Sequence, residues 1–300
     1  MYSHLVFSGG GLAGLSYLGV IRYMQENDFI KDIHEVSGTS IGAFFACLFA
    51  MNIMPDELET YLKEFFKKDE NITFPLLTSL ITIMDTYGID DGEKMILPIK
   101  YFIKKKYEWD KEIITIREFV KKTGINIVIC AVNVNKRKVV YFSVDTTPDV
   151  CLYDAIQASM SVPMMMRPVM INEDFYVDGG ICDNCPISGF RKSGRNNVLI
   201  MELPAILPEK MEINDFFSFL SIVVQTMITN TSNPEKLKYL CSNYDILKLN
   251  ETPIPFLPIE TCKDGTIKIK ITDDDIDQAI GYGYTKMYEL IKEKEREEGL

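Results

Sequence analysis

The chain has 300 residues, 47% of them apolar and 25% charged, a balance that supports a sizeable core and excludes a wholly disordered chain. A formal charge of −11 at pH 7 argues against nucleic acid as a partner and against docking on anionic membrane by charge, since both need a basic surface. Seven cysteines, an odd number scattered from Cys47 to Cys262, do not suggest a disulfide framework, and MYSHLVFSGG lacks the pattern of a signal peptide.

The longest apolar runs, AFFACLFAMNIM (43–54) and FFSFLSIVV (216–224), are too short to span a bilayer. These features predict a protein of the reducing cytoplasm that is at most peripheral to membranes.

HLVFS (4–8) reads as a first strand and runs into GGGLAG (9–14). A helix is expected from about Leu12 to Glu26, with Leu15, Leu18, Ile21 and Met24 near one face. A second strand over about 33–37 enters GTSIG (38–42), and AFFACLFAM continues as a buried helix. Pro55 suits the first turn of the next helix, whose apolar face is Leu58, Leu62 and Phe65. INIVICAVNV (125–134) and KVVYFSV (138–144) form a strand pair across a short polar turn. CLYDAIQASM reads as a helix, FYV (175–177) as a strand leading into DGGICDNCP, and NVLIMEL (197–203) as another buried strand. An apolar helix (about 213–228), strands at YDILKLN and TIKIKI, and a final helix from near Asp273 complete the chain. Strands alternating with helices imply an α/β fold with a mostly parallel central sheet flanked by helices. No linker divides it.

The first chemical signal is GTSIG. In a strand–Gly-x-Ser-x-Gly–helix, Gly38 and Gly42 let neighbouring backbone pass and Ser40 stands on the turn with its hydroxyl exposed. The N–H of Ile41 and the helix dipole can then face a developing oxyanion. GGGLAG also fits a dinucleotide fingerprint, Gly9-x-Gly11-x-x-Gly14, but the acidic residue that fingerprint needs is represented only by Glu35, inside its strand. Alternatively, the three glycines provide unblocked backbone donors beside the serine.

A serine nucleophile needs a base, and the chain has two histidines, His4 and His34. At ~3.3 Å per residue, a strand carries His34 about 20 Å from the turn, out of hydrogen-bond reach. Both histidines are expected at the surface or at an edge. Asp178 follows a short apolar strand and is expected at the same carboxyl edge as Ser40, with Gly179 and Gly180 giving backbone access. Taken alone, Asp-Gly-Gly reads as a turn.

Taken together, GGGLAG, GTSIG and DGG, each after a strand and in this order, resemble the patatin-like phospholipases, lipid acyl hydrolases with a Ser–Asp dyad. ASMSVPMMMRP (158–168) is similar to the family's Ala-Ser-x-x-x-Pro segment, and DGGICDNCP (178–186) to its Asp-Gly-Gly-x-x-x-Asn-x-Pro. The resemblance covers about residues 4–186. It implies a three-layer α/β/α catalytic domain over 1–210, with a mixed C-terminal extension (211–300) packed on it. It further implies Ser40 as nucleophile, Asp178 as base, and Gly9, Gly10 and Gly11 with Ile41 as the oxyanion hole; Gly14, Gly38, Gly42, Gly179 and Gly180 are the other motif glycines. Where the family usually has Arg or Lys, this chain has Ala13.

The expected activity is hydrolysis of phospholipid or acylglycerol esters through an acyl-enzyme. No cofactor or metal is implied, and the partner is an acyl-ester lipid with transient contact to a membrane surface. Two other readings stay open, a non-catalytic lipid-binding relative and an oxidoreductase using GGGLAG. Cys182-x-x-Cys185 reads as two packed thiols, Met164–Met166 as core filling or the wall of an acyl groove, and Lys104–Lys106 as a solvated face. PLLTSLITIM (75–84) and FFSFLSIVV are expected in the core or in an apolar cap.

Overall fold

The computed structural model describes residues 2–68, 73–75, 81, 83–191, 196–203, 213, 219, 222–223, 226–227, 231, 240–241, 243–255, 258–262 and 266–299. The expected helix at about 213–228, and most of PLLTSLITIM and FFSFLSIVV, lie outside these residues.

Apolar runs of strand length build the centre. β1 (His4–Phe7), β2 (Glu35–Thr39), β5 (Asn126–Asn133), β10 (Val198–Glu202) and β11 (Tyr244–Lys248) lie parallel in the order β11-β10-β1-β2-β5. Three antiparallel strands finish the eight-stranded sheet: β6 (Lys138–Phe142), β8 (Val169–Ile171) and β9 (Asp174–Asp178). Side-chain alternation gives the sheet two buried faces. Leu5, Phe7, Ile127, Ile129, Leu199 and Met201 enter the large core, while Val6, Val128, Val198 and Ile200 enter a smaller one with Ile187 and Phe190.

Helices cover the large face because their apolar residues recur at helical spacing. α1 (Ser16–Glu26) follows a 3₁₀ turn over Gly11–Leu15, so the single helix expected from Leu12 is two elements. α2 (Ile41–Ala50) is buried along its whole length against β1, β2 and β5. α3 (Pro55–Lys67) has Pro at its start and buries Leu58, Leu62 and Phe65. α4 (Glu93–Tyr107) and α5 (Ile116–Thr123) complete that side; the exposed Lys104 and Lys105 at the end of α4 pair with Asp110 and Glu57. α6 (Leu152–Met160) lies against β5 and β9. α7 (Asp273–Glu297) starts at a Thr272–Asp275 capping box and buries Ile276, Ala279, Ile280, Gly283, Met287 and Ile291. Small ladders pair β4 (Gly88–Asp90) with β7 (Met164–Met166), and β3 (Thr73–Pro75) with β13 (Thr266–Ile269), which also pairs β12 (Ile259–Thr261).

One pairing positions the chemistry. β6 takes one edge of β5 from Ile129 to Asn133, which leaves the other edge to β2 and β9. β2 pairs there up to Thr39↔Cys130, and β9 arrives from the opposite direction with Ala131↔Asp178. The two strands therefore meet end to end, and the residues at their junction are Ser40 and Asp178. Asp178 does not arrive on a parallel strand, as the sequence suggested, but on an antiparallel one.

Candidate active site

Ser40 sits between β2 and α2 with φ 56° and ψ −127°, a backbone conformation rarely adopted by a side-chain-bearing residue. The turn is tight enough to need its glycines. A Cβ at Gly38 would fall 2.3 Å from the Gly42 backbone, and one at Gly42 would fall 2.1 Å from the Phe7 carbonyl oxygen. Ser159 fixes the strained residue: its Oγ accepts the Ser40 N–H at 2.9 Å and donates to the Cys130 carbonyl at 2.6 Å. With its N–H so occupied, Ser40 presents its hydroxyl at the head of α2, beside the first free N–H groups of that helix.

Asp178 is 1% exposed. Its Oδ1 accepts the Gly180 N–H at 2.6 Å, and its backbone N–H donates to the Ser161 carbonyl at 2.9 Å. Oδ2 is buried without a well-formed hydrogen bond. Burial pushes the carboxyl pKa up to about 6, against the lowering pull of the Ser40 hydroxyl and the Gly180 N–H. Ser40 is thus close enough to influence the carboxylate, but not aligned as a full hydrogen bond. Such loose nucleophile–base pairs commonly tighten when substrate binds.

The glycine loop lies against the same point. A Cβ on Gly9 would sit 3.2 Å from that of Ser40. Asn184 clamps Gly9 with both ends of its amide, Oδ1 accepting the Gly9 N–H at 3.1 Å and Nδ2 donating to the Gly9 carbonyl at 3.0 Å. This corrects the expectation for Gly9, whose N–H is already taken and cannot serve as a free oxyanion donor. Gly10 and Gly11 stand at the start of the 3₁₀ turn, where no intrahelical carbonyl can accept their N–H groups. Ser8 and Tyr17 tie the loop to the sheet: Ser8 Oγ accepts the Leu203 N–H at 2.8 Å, and Tyr17 Oη donates to the Ser8 carbonyl at 2.8 Å. Thr39 Oγ1 donates to the Asp183 carbonyl at 3.0 Å, so the segment after Asp178 straps both turns together. Gly14 packs against Ile41, and Gly179 against the Cys130 carbonyl. Ala13 is buried, so no cation stands in this loop.

The histidines lie elsewhere. His4 is 2% exposed rather than at the surface, because its position opposite Glu35 in the β1–β2 ladder places Nε2 3.3 Å from that carboxylate. Both residues begin their strands, at the end opposite the two turns. The same contact leaves Glu35 unable to face a ribose beside GGGLAG, which removes the basis of the dinucleotide reading. His34 is exposed beside His4. No disulfide joins Cys182 and Cys185, and Met164–Met166 is a strand whose first residue is exposed and whose other two are half-buried, so it does not fill the core. Sequence reasoning missed Ser159 and Asn184. Both stand inside motifs that it quoted, but each acts on a residue more than a hundred positions away.

Comparison with known proteins identifies relatives in sequence and in fold. The probable lipid hydrolase 463L of Invertebrate iridescent virus 6 is 26% identical over 243 residues, 78% of this chain and 81% of that protein. Lysophospholipase NTE1 of Meyerozyma guilliermondii is 27% identical over 202 residues, 67% of this chain but only 12% of that longer protein. Among solved structures, VipD from Legionella pneumophila shares the fold, with a TM-score of 0.55 at 17% identity over 97% of this chain and 67% of that one. Among the described residues no helix is long and apolar enough to cross a membrane. The family model for patatin-like phospholipase matches residues 5–191, and the chain belongs to that family.

Proposed function

We propose that this protein hydrolyses acyl esters of phospholipids or acylglycerols with Ser40 as nucleophile and Asp178 as its base. The observation that carries the reading is the end-to-end meeting of β2 and β9. It puts a buried carboxylate with a raised pKa beside a serine strained at a helix head. Asp178 takes the hydroxyl proton as Ser40 Oγ attacks the ester carbonyl. The oxyanion is held by the N–H groups of Gly10, Gly11 and Ile41. The tetrahedral intermediate collapses, and Asp178 returns the proton to the departing alcohol oxygen. Water then attacks the acyl-serine with Asp178 again as base, releasing the fatty acid and restoring the hydroxyl.

A carboxylate with a pKa of about 6 is a better base than one near ~3.9 yet remains mostly ionised at neutral pH. With Ala13 in the loop, backbone donors and the α2 dipole supply the oxyanion stabilisation without a side-chain cation. None of the seven cysteines is in a disulfide, which supports a reducing, cytoplasmic setting.

Labelling with a fluorophosphonate tests the nucleophile. Wild-type protein is expected to be modified at Ser40, and Ser40→Ala to escape modification. Hydrolysis of a water-soluble ester should fall at least ~10³-fold in Ser40→Ala and in Asp178→Asn, with both variants folded. Substantial turnover in either variant would exclude the dyad. An inert wild-type serine would favour a lipid-binding role without catalysis.

A further inference from the structure

Six large apolar side chains stand in solvent on one side of the molecule: Ile81 (80% exposed), Met84 (82%), Tyr87 (57%), Val134 (47%), Met164 (42%) and Met170 (65%). Phe175 joins them. Its ring lies 5.9 Å from that of Tyr87, its carbonyl accepts the Val134 N–H at 2.9 Å, and it sits directly opposite Met170 in the β8–β9 ladder. Met164 pairs with Gly88, the residue after Tyr87. Ile81, Met84 and Tyr87 recur every third residue, while Ile83 between them packs on the core. Ile83 thus faces the core while Ile81, Met84 and Tyr87 face solvent. Other exposed apolar residues, such as Met54, Ile113 and Tyr288, belong to separate elements.

The group adjoins the proposed active site through two covalent connections. β9 carries Phe175 in the patch and Asp178 at the site, ~10 Å apart along a strand. Ser161, which holds the Asp178 N–H, is three residues before Met164. The neighbouring charges cancel: Lys136, Arg137 and Lys138 are matched by Asp85, Glu173 and Asp174, with Lys136 paired to Asp174. In a chain of net charge −11, an apolar patch with a neutral rim suits an uncharged interface rather than an anionic one.

We infer that this face is where the protein docks on a zwitterionic phospholipid surface, with the apolar side chains entering the headgroup–acyl boundary and the site mouth held against it. This deepens the proposed lipid hydrolysis and rests on it for its purpose, but it can fail independently. Binding is measured by sedimentation with sucrose-loaded vesicles of non-hydrolysable ether phosphatidylcholine, using Ser40→Ala so that turnover plays no part. The protein is expected to partition onto the vesicles almost equally in low and high salt. Met84→Glu/Met170→Glu added to Ser40→Ala should lower the partition at least tenfold. In the otherwise wild-type chain, the same pair should cut hydrolysis of vesicle lipid while leaving activity on a soluble short-chain ester unchanged. Four results would each overturn the inference. These are no vesicle binding by the parent, undiminished binding by the triple variant, binding only to anionic vesicles with loss in salt, or light scattering that shows a dimer broken by the Glu pair. Loss of soluble-ester turnover in Ser40→Ala is read separately and bears on the dyad alone.

Discussion

Burying the Asp178 carboxyl with one well-formed hydrogen bond holds its pKa at about 6, whereas an unfolded chain would set it near ~3.9. The folded state therefore binds this proton more tightly than the unfolded state does. Below pH ~4 both states are protonated and the group has no effect on stability. As pH rises through about 6 the folded state must ionise a buried acid, and the resulting penalty approaches roughly 2–3 kcal/mol above that range. Asp178→Asn removes the penalty, so at pH 8 the variant is expected to be more stable than wild type by about 1–3 kcal/mol in urea denaturation, with the advantage fading towards pH 4. A variant no more stable at pH 8 would show that the site's other contacts compensate the buried charge. The same ionisation governs activity: kcat/KM on a soluble ester should climb with pH through about 6 and level off, because only the carboxylate can accept the Ser40 proton.

Among the elements, the α1–α7 crossing bears most directly on the glycine loop, since α1 continues the 3₁₀ turn that carries Gly11. A Cβ on Gly19 would fall 1.9 Å from the Ile280 carbonyl oxygen, and one on Gly283 would fall 1.9 Å from that of Ser16. The two backbones touch through their glycines, so Gly283→Ala must push the helices apart, at an expected loss of about 2–4 kcal/mol. Gly281 lies two residues away with nothing within 4 Å of its would-be Cβ. There the same change to Ala should raise stability by about 0.5–1 kcal/mol through helix propensity alone. Chemical denaturation of the two variants side by side decides it; equal effects would contradict the close crossing. Elements that depend on local chemistry were legible in the sequence, as with Pro55 opening α3 and the acidic start of α7. The direction of β9 was not, because strand direction is set by a partner elsewhere in the chain. Ser40, Asp178 and the glycine turns could be read as motifs, while the role of Asn184 rests on a contact 175 residues distant and took Gly9 out of the donor set. The burial of His4 likewise depends on Glu35 across the β1–β2 ladder.

At the scale of the whole molecule, the family match ends at residue 191, but strand pairing and helix packing continue well beyond it. β11 hydrogen-bonds along β10 over Val198–Glu202, so removing it would turn a central parallel strand into an open edge. α7 covers the side of α1 that carries Ser16, Gly19 and Tyr23, where Gly19 and Gly283 bring the two backbones together and the Tyr23 ring meets that of Tyr284 at 5.2 Å. A fragment of residues 1–210, the boundary expected for the catalytic domain, would lose both partners. It is expected to be insoluble, or to lack the cooperative unfolding transition of the full chain, when examined by circular dichroism. Co-expression with residues 243–300 should restore a soluble complex that labels at Ser40, because that segment supplies β11 and α7 together. A 1–210 fragment that folds cooperatively and labels by itself would show that the sheet edge and the α1 surface tolerate exposure. The C-terminal segment would then be an accessory to the domain instead of part of its core.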